Sequence, residues 1–430
     1  MNTCEILKRI YDTVEENAGE IIAAGRQIRE NPELGYREEK TSALVRSVFD
    51  RLGIGYTYPH ALTGVRAKIG SGRFNVCIIG ELDALICGGK NAHACGHNAQ
   101  IAAMLGAAYG LAKSGVLSEL DGSITFMATP AEEFIDTDYR RGLRAEGKID
   151  FFGGKQQLIY EGAFDDVDMA MMLHAQPDEP AEKLYMRGYN LGFNAAGITF
   201  RGKAAHGSTP YDGVNALNAA ALAIIGIHSN RETFRDEDRI RIHPIITKGG
   251  DVVNSVPDEV CIDTYVRGAS IDAIAKGEQA VRRSVGGAAQ IIGASAEIER
   301  ISGYLPLRES RELSDVMEQT AAGLLGSDAL VFGREITGST DIGDLSHLIP
   351  VIQPSVGGFY GKLHSADFKI ADEHAAYITP AKILAGTAAA LLADGAKAAQ
   401  NVKKSFSPAL TKDEYINYLR GENLCGQKKN

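Results

Sequence analysis

Two hydrophobic rhythms run through this chain. Over the first fifty residues the apolar positions recur at helical spacing. That predicts amphipathic helices at about 14–31 and 37–53, broken at Asn31-Pro32. From residue 64 the pattern changes to short apolar runs: VRAKIGS, NVCIIGELDA (75–84), SITFMATP (123–130) and VDMAMMLHA (167–175). Helix-length segments separate these runs, among them the Ala- and Gly-rich stretch 98–114. Near-continuous apolar strands alternating with helices predict an α/β fold, a sheet covered by helices.

A different module begins near residue 191. A strand, GFNAAGITFRG, leads to a helix at 215–232. Two strands at 239–250 and 258–269 follow, then a helix at 271–292 and a last strand, SAEIERISGY. The β-α-β-β-α-β order is that of a ferredoxin-like α+β unit. After about 305 the earlier style returns, with VIQPSVGGFYG and an Ala-rich helix at 380–394. The expected organisation is therefore a discontinuous mixed-sheet catalytic domain, 1–190 and 305–395, interrupted by an inserted domain, 191–304. A polar C-terminal tail, 396–430, completes the chain.

Composition narrows the function classes. With 430 residues, 44% hydrophobic and 23% charged, the chain is an ordinary globular protein of two-domain size. A formal charge of −10 argues against nucleic acid as a partner. No apolar run suggests a membrane span, and the acidic N-terminus lacks a signal core, so a cytoplasmic location is expected. The six cysteines are scattered, which fits free thiols in a reducing compartment.

The chemistry-bearing residues gather at predicted strand ends and loops. Cys95 and His97 stand two apart in HACGHN, where both side chains can converge on one ion. A lone Cys-x-His is common without any metal. Glu132 and Glu133 follow directly on the strand ITFMATP, and strand ends are where ligand sites concentrate. Adjacent carboxylates repel, and a nearby cation removes that objection: one can ligate while the other handles protons. His174 closes the run VDMAMML, and His364 follows PSVGGFYGK. Each histidine alone is more often a satisfied structural group; the combination is harder to dismiss.

These residues carry a resemblance. ENPELGYREEKT (30–41), GELDAL, HACGHN, TPAEE, FDDVDMAMMLH, GKAAHGSTPYDGVNAL, NSVPD, GSTDIGDLS and GGFYGKLHSADF occur in one order over roughly 340 residues. The sequence resembles the dinuclear metallohydrolases that include indoleacetyl-amino-acid hydrolases, hippurate hydrolase and aminobenzoyl-glutamate hydrolases. The resemblance implies a two-metal amidohydrolase acting on an N-acyl amino acid or dipeptide, through metal ligands Cys95, His97, Glu133, His174 and His364. Cys95 would bridge two divalent ions, for which Zn, Mn, Co and Ni all suit the ligand set. Asp83 would orient a ligand, and Glu132 would be the general base on an activated water.

The open edge of its sheet predicts that the inserted domain pairs two copies, in a homodimer or higher homo-oligomer, and the domain is expected to close over the site as a lid; the resemblance adds a role for one of its histidines. His206 would reach a neighbouring active site and stabilise an oxyanion. For the substrate carboxylate, Arg267 and Asn254 are candidates; Arg267 reads equally well as a solvated strand end. The run CGHNAQ departs from the CGHDGH of many relatives, which turns the expectation toward the aminobenzoyl-glutamate and dipeptide-cleaving branch. The charged stretch 134–150, with four acidic and four basic residues, is either a solvated excursion or a wall of the pocket. Two other readings stand beside amide hydrolysis: C–N hydrolysis on an aromatic ring, and a silent binding protein on the same fold.

Overall fold

A computed structural model of the protein describes residues 3–333 and 335–421; Cys425 and the end of the expected tail, 422–430, lie outside them. The chain divides into two compact units. One comprises 1–189, 308–335 and 344–416, and the other 190–307, 336–343 and 417–430.

The first unit is built on a six-stranded mixed sheet. Its strand order is Tyr56–His60, Gly64–Ser71, Gly122–Thr129, Phe74–Glu81, Met169–Met171 and Val351–Ile352. The first three run antiparallel and the last four parallel. Phe74–Glu81 and Gly122–Thr129 are buried along their whole length, which is why they read as unbroken apolar runs rather than as alternation. The helices His97–Lys113 and Thr379–Ser405 pack on these strands. Small residues allow the close approach: a Cβ on Gly106 would meet Ala381 Cβ at 2.6 Å.

Three features differ from the sequence reading. The first helix, Thr3–Glu16, was not foreseen, yet Ile6, Ile10 and Val14 form its buried stripe at four-residue spacing. The apolar run 167–175 is not one strand. Met169–Met171 joins the large sheet, whereas His174–Ala175 joins a separate four-stranded sheet beside Ser355–Val356. Finally, the expected tail is helical as far as Ser405, after a kink at Ala393–Ala396, and again over Lys412–Leu419. Ala396, Ala399 and Val402 are buried, and this apolar face holds the segment in place. The helical stretch His374–Ser405 is long and apolar enough to cross a bilayer, but its most apolar window is 89% buried within the fold.

The second unit is a four-stranded antiparallel sheet in the order Arg241–Lys248, Glu259–Gly268, Gly192–Arg201, Ser295–Ile301. The helices Ala216–Ser229 and Ile271–Ile292 pack together and on that sheet. Asn215 caps the first through Leu217 N and Asn218 N, and Ser270 caps the second through Ala273 N. The split βαβ order expected from the sequence is present.

Candidate metal centre

The parallel strands Phe74–Glu81 and Gly122–Thr129 end side by side, and the chain leaving each carries the reactive residues. Asp83 follows the first, and Glu132 and Glu133 follow the second. Gly96 turns the chain between Cys95 and His97 at φ +84°, and a Cβ there would come within 2.6 Å of Ala175 Cβ. Glycine at this position lets Cys95 and His97 lie against the strand that carries His174. His364 enters from a turn in which its N–H donates to Ala94 O at 2.8 Å.

The structure brings the five candidate ligands together. Donor atoms of Cys95, His97 and His174 lie within 4.8 Å of one another, as do those of Cys95, Glu133 and His364. Cys95 belongs to both groups. Its Sγ is 3.4 Å from His174 Nε2, and His364 Nε2 is 3.4 Å from Glu133 Oε1. Glu132 is 8% exposed, with Oε2 3.8 Å from His97 Nε2.

Neighbouring groups orient three of the candidate ligands, His97, His174 and Glu133. His97 Nδ1 faces the Asp83 carbonyl at 2.9 Å and Asp83 Oδ1 at 3.2 Å. Both are acceptors, so Nδ1 carries the proton and Nε2 points at the cluster. His174 Nδ1 likewise donates to Ala175 O at 3.0 Å, which frees its Nε2. Asp83 Oδ2 accepts from Glu133 N at 2.9 Å, so one buried carboxylate holds two ligands in place.

The electrostatics and the open valences fit a cation. His97 Nε2 and Glu133 Oε1 are buried and, among the described residues, have no hydrogen-bond partner. Burial pushes the Cys95 thiol well up, with the Glu133 charge adding to it, and burial raises Glu133 to about 7. His174 and His364 are pushed down by burial, toward the neutral form that ligates. Burial also opposes ionisation of Asp83, but the hydrogen bond and charge of His97 hold it below the usual carboxylate range. A thiol, carboxylate and imidazole set of this kind, with only His364 exposed, suits Zn, Mn, Co or Ni, and its protons would leave as a cation bound.

Several partners of this cluster were not legible beforehand. Arg140, only 1% exposed, sends Nη1 to Phe152 O (2.7 Å) and Ala131 O (3.4 Å), and Nη2 to Glu133 O. Glu38, fully buried, accepts from Ala131 N at 2.8 Å. Ala131 has a left-handed φ of +54°, an uncommon conformation for alanine that these contacts hold at the turn before Glu132. The stretch 134–150 is solvated over much of its length, but it is anchored by buried Arg140, Leu143 and Ile149. It contains the helix Thr137–Ala145, whose Arg140 binds the turn that carries both glutamates.

Residues 82–393 match the model of the peptidase family M20/M25/M40. The chain belongs to that family. It is accordingly a hydrolase of amide bonds. Among relatives, it is 27% identical to the IAA-amino acid hydrolase ILR1-like 2 of Arabidopsis thaliana, over 81% of this chain and 80% of that one. It is also 27% identical to the Xaa-Arg dipeptidase of Mus musculus, over 81% and 79%. A dinuclear metal binding peptidase of the M20 family from Bacillus subtilis superposes with a TM-score of 0.69. It shares 22% identity and covers 88% of this chain and 99% of its own.

His206, Asn254 and Arg267 lie in the second unit. His206 pairs by its backbone with Ser255, and Gly207 N donates to Asn254 O at 2.7 Å, so His206 and Asn254 share one corner of that unit. Ser208 N donates to His206 Nδ1 at 3.1 Å, which leaves the ring proton on Nε2. The Arg267 guanidinium donates to Ser339 Oγ at 2.8 Å and lies over the rings of Phe193 and Tyr265.

Proposed function

We propose that the protein hydrolyses the amide bond of an N-acyl amino acid or dipeptide with two divalent cations held by Cys95, His97, Glu133, His174 and His364. The observation that carries this reading is the place of Cys95 in two candidate ligand groups, where its thiolate would be available to both ions. Two such ions would supply the acidity that activates a water and the polarisation of the scissile carbonyl. Glu132, in neither of the two groups that share Cys95, takes the proton of the attacking water and delivers it to the leaving amine. Asp83 keeps His97 and Glu133 in register.

His206 contributes the donor for the developing oxyanion. Its exposed ring presents Nε2–H because Nδ1 is already occupied by Ser208. In this reading the inserted domain acts as a lid and joins two copies of the chain. The strand Arg241–Lys248 is one edge of its sheet, and Ile245 and Ile246 on it are 52% and 43% exposed, an edge suited to a second copy. Mixing Glu132→Gln protein with His206→Ala protein, each inactive alone, is expected to restore part of the activity. Confirmed subunit exchange without rescue would remove the crossed arrangement.

A substrate carboxylate meets Arg267 and Asn254 in this reading. The guanidinium lies over two aromatic rings, and its fork is the side-chain group best matched to a carboxylate. The test is a screen of N-acyl amino acids, dipeptides and aminobenzoyl-glutamate with the metal-reconstituted protein, following released amine. Amine release is expected from at least one of these classes, and none from any would refute the assignment. On the best substrate, Arg267→Ala should raise KM by about tenfold or more, the worth of a charge-assisted hydrogen bond. An amide analogue of the carboxylate should be barely affected. Equal loss on both would mean that Arg267 supports the fold only.

A further inference from the structure

Two guanidiniums lie side by side on the sheet of the second unit. Arg267, on the strand Glu259–Gly268, stands directly opposite Arg241 of the edge strand and, on its other side, opposite Phe193. Directly opposed residues of antiparallel strands share a face, with their Cβ atoms about 5 Å apart. This face is the one turned away from the helices. Val266 and Ile242, next to the two arginines along their strands, are buried in the helix-covered core, whereas Arg241 is exposed.

Like charges directly opposite one another destabilise a sheet, and arginine does not lose its proton in a protein. Further along the same strand the fold balances its own cations: Glu259 forms ion pairs with Arg201, its cross-strand partner, and with Lys248. Among the described residues, neither Arg241 nor Arg267 forms an ion pair, and Arg267 donates only to the neutral Ser339 hydroxyl. Burial lowers the pKa of the Arg267 guanidinium, Tyr265 opposes that shift, and the charge of Arg241 adds to it. Two adjacent forks without a carboxylate suit a ligand that brings two, since each guanidinium can take one in bidentate fashion.

We propose that Arg241 and Arg267 together form a dicarboxylate site, so that the amide cleaved is one whose leaving amine is glutamate or aspartate. Arg267 takes the α-carboxylate and Arg241 the side-chain carboxylate. The inference rests on the acyl-amino-acid reading above and names the leaving group within it. Arg241 touches the side chain of the substrate and not the scissile bond, so its effect belongs in KM.

The test compares the N-acyl derivatives of L-glutamate and L-glutamine carrying one and the same acyl group, a pair that differs in a single charge. The expected kcat/KM favours glutamate by about tenfold or more, the scale of a hydrogen bond between charged groups. Arg241→Gln should bring that ratio to about one. Arg241→Lys, which keeps the charge and loses the fork, should give an intermediate ratio. Arg241→Gln should also melt no lower than wild type, because it removes a like charge; a clear loss of stability would mean that the fold itself holds Arg241 and would count against the site. A wild-type ratio near one, or a ratio that Arg241→Gln leaves unchanged, would overturn the proposal. Calorimetry with free L-glutamate and L-glutamine separates this inference from the reading beneath it. Glutamate binding about tenfold tighter, and equal to glutamine in Arg241→Gln, supports the dicarboxylate site; equal binding in the wild type refutes it. If that binding preference held while no acylated amino acid was cleaved, the substrate reading alone would fall.

Discussion

Replacing Glu132 with glutamine is expected to leave cation binding intact and to cut turnover by about 10²–10⁴. Glu132 and Glu133 are neighbours in sequence with different surroundings. Glu133 belongs to a ligand group with Cys95 and His364, and Asp83 binds its backbone. Glu132 is in neither of the two groups that share Cys95, yet its Oε2 is 3.8 Å from His97 Nε2. In the proposed mechanism a carboxylate so placed would face the activated water without being one of the five proposed ligands. Glutamine keeps the size and hydrogen-bonding reach of the side chain but cannot accept a proton. Equal metal content with turnover within a few-fold of wild type would show that another group is the base.

Arg140 carries the second large effect. Its guanidinium is nearly fully buried, and its hydrogen bonds run to the carbonyls of Ala131, Glu133 and Phe152. Arg140→Met should destabilise the protein by on the order of 3 kcal/mol, because it strips strong, charge-assisted donors from buried carbonyls. It should also lower kcat by roughly 10²-fold, the scale of a misplacement of about 1 Å in a catalytic group, since Ala131 and Glu133 flank Glu132, the proposed base. Arg140→Lys keeps the charge but cannot span three carbonyls, so it should recover stability more than turnover. Denaturant unfolding alongside kcat on both variants separates the effects. Native stability and native kcat in Arg140→Met would contradict the clamp.

How far the sequence discloses this site follows from the physics of each residue. Cys95 and His97 stand out because the chain itself places them two apart, and Glu132, Glu133 and His174 because each ends an apolar run. The ferredoxin-like unit is legible for the same reason, since its strands and helices switch period cleanly. Buried charges are not legible in this way. Arg140 sits in RRGLRAEGK and Lys155 in GGKQQ, stretches whose composition is that of a solvated surface. Their partners come from elsewhere in the chain; Glu81 is 74 positions from Lys155. Hydrophobic periodicity reports which face is apolar and says nothing of which charge will be paired. The split of 167–175 between two sheets was hidden for a related reason: the whole run is apolar, and only strand pairing decides where it divides.

The measurement that bears most directly on the central claim is a titration of metal-stripped protein with Co(II), following both stoichiometry and near-ultraviolet absorption. The account predicts two ions per chain, a thiolate-to-metal band that disappears in Cys95→Ser, and amide hydrolysis that returns only with the metal. Full activity in the metal-stripped protein, or saturation without any band from Cys95, would contradict it.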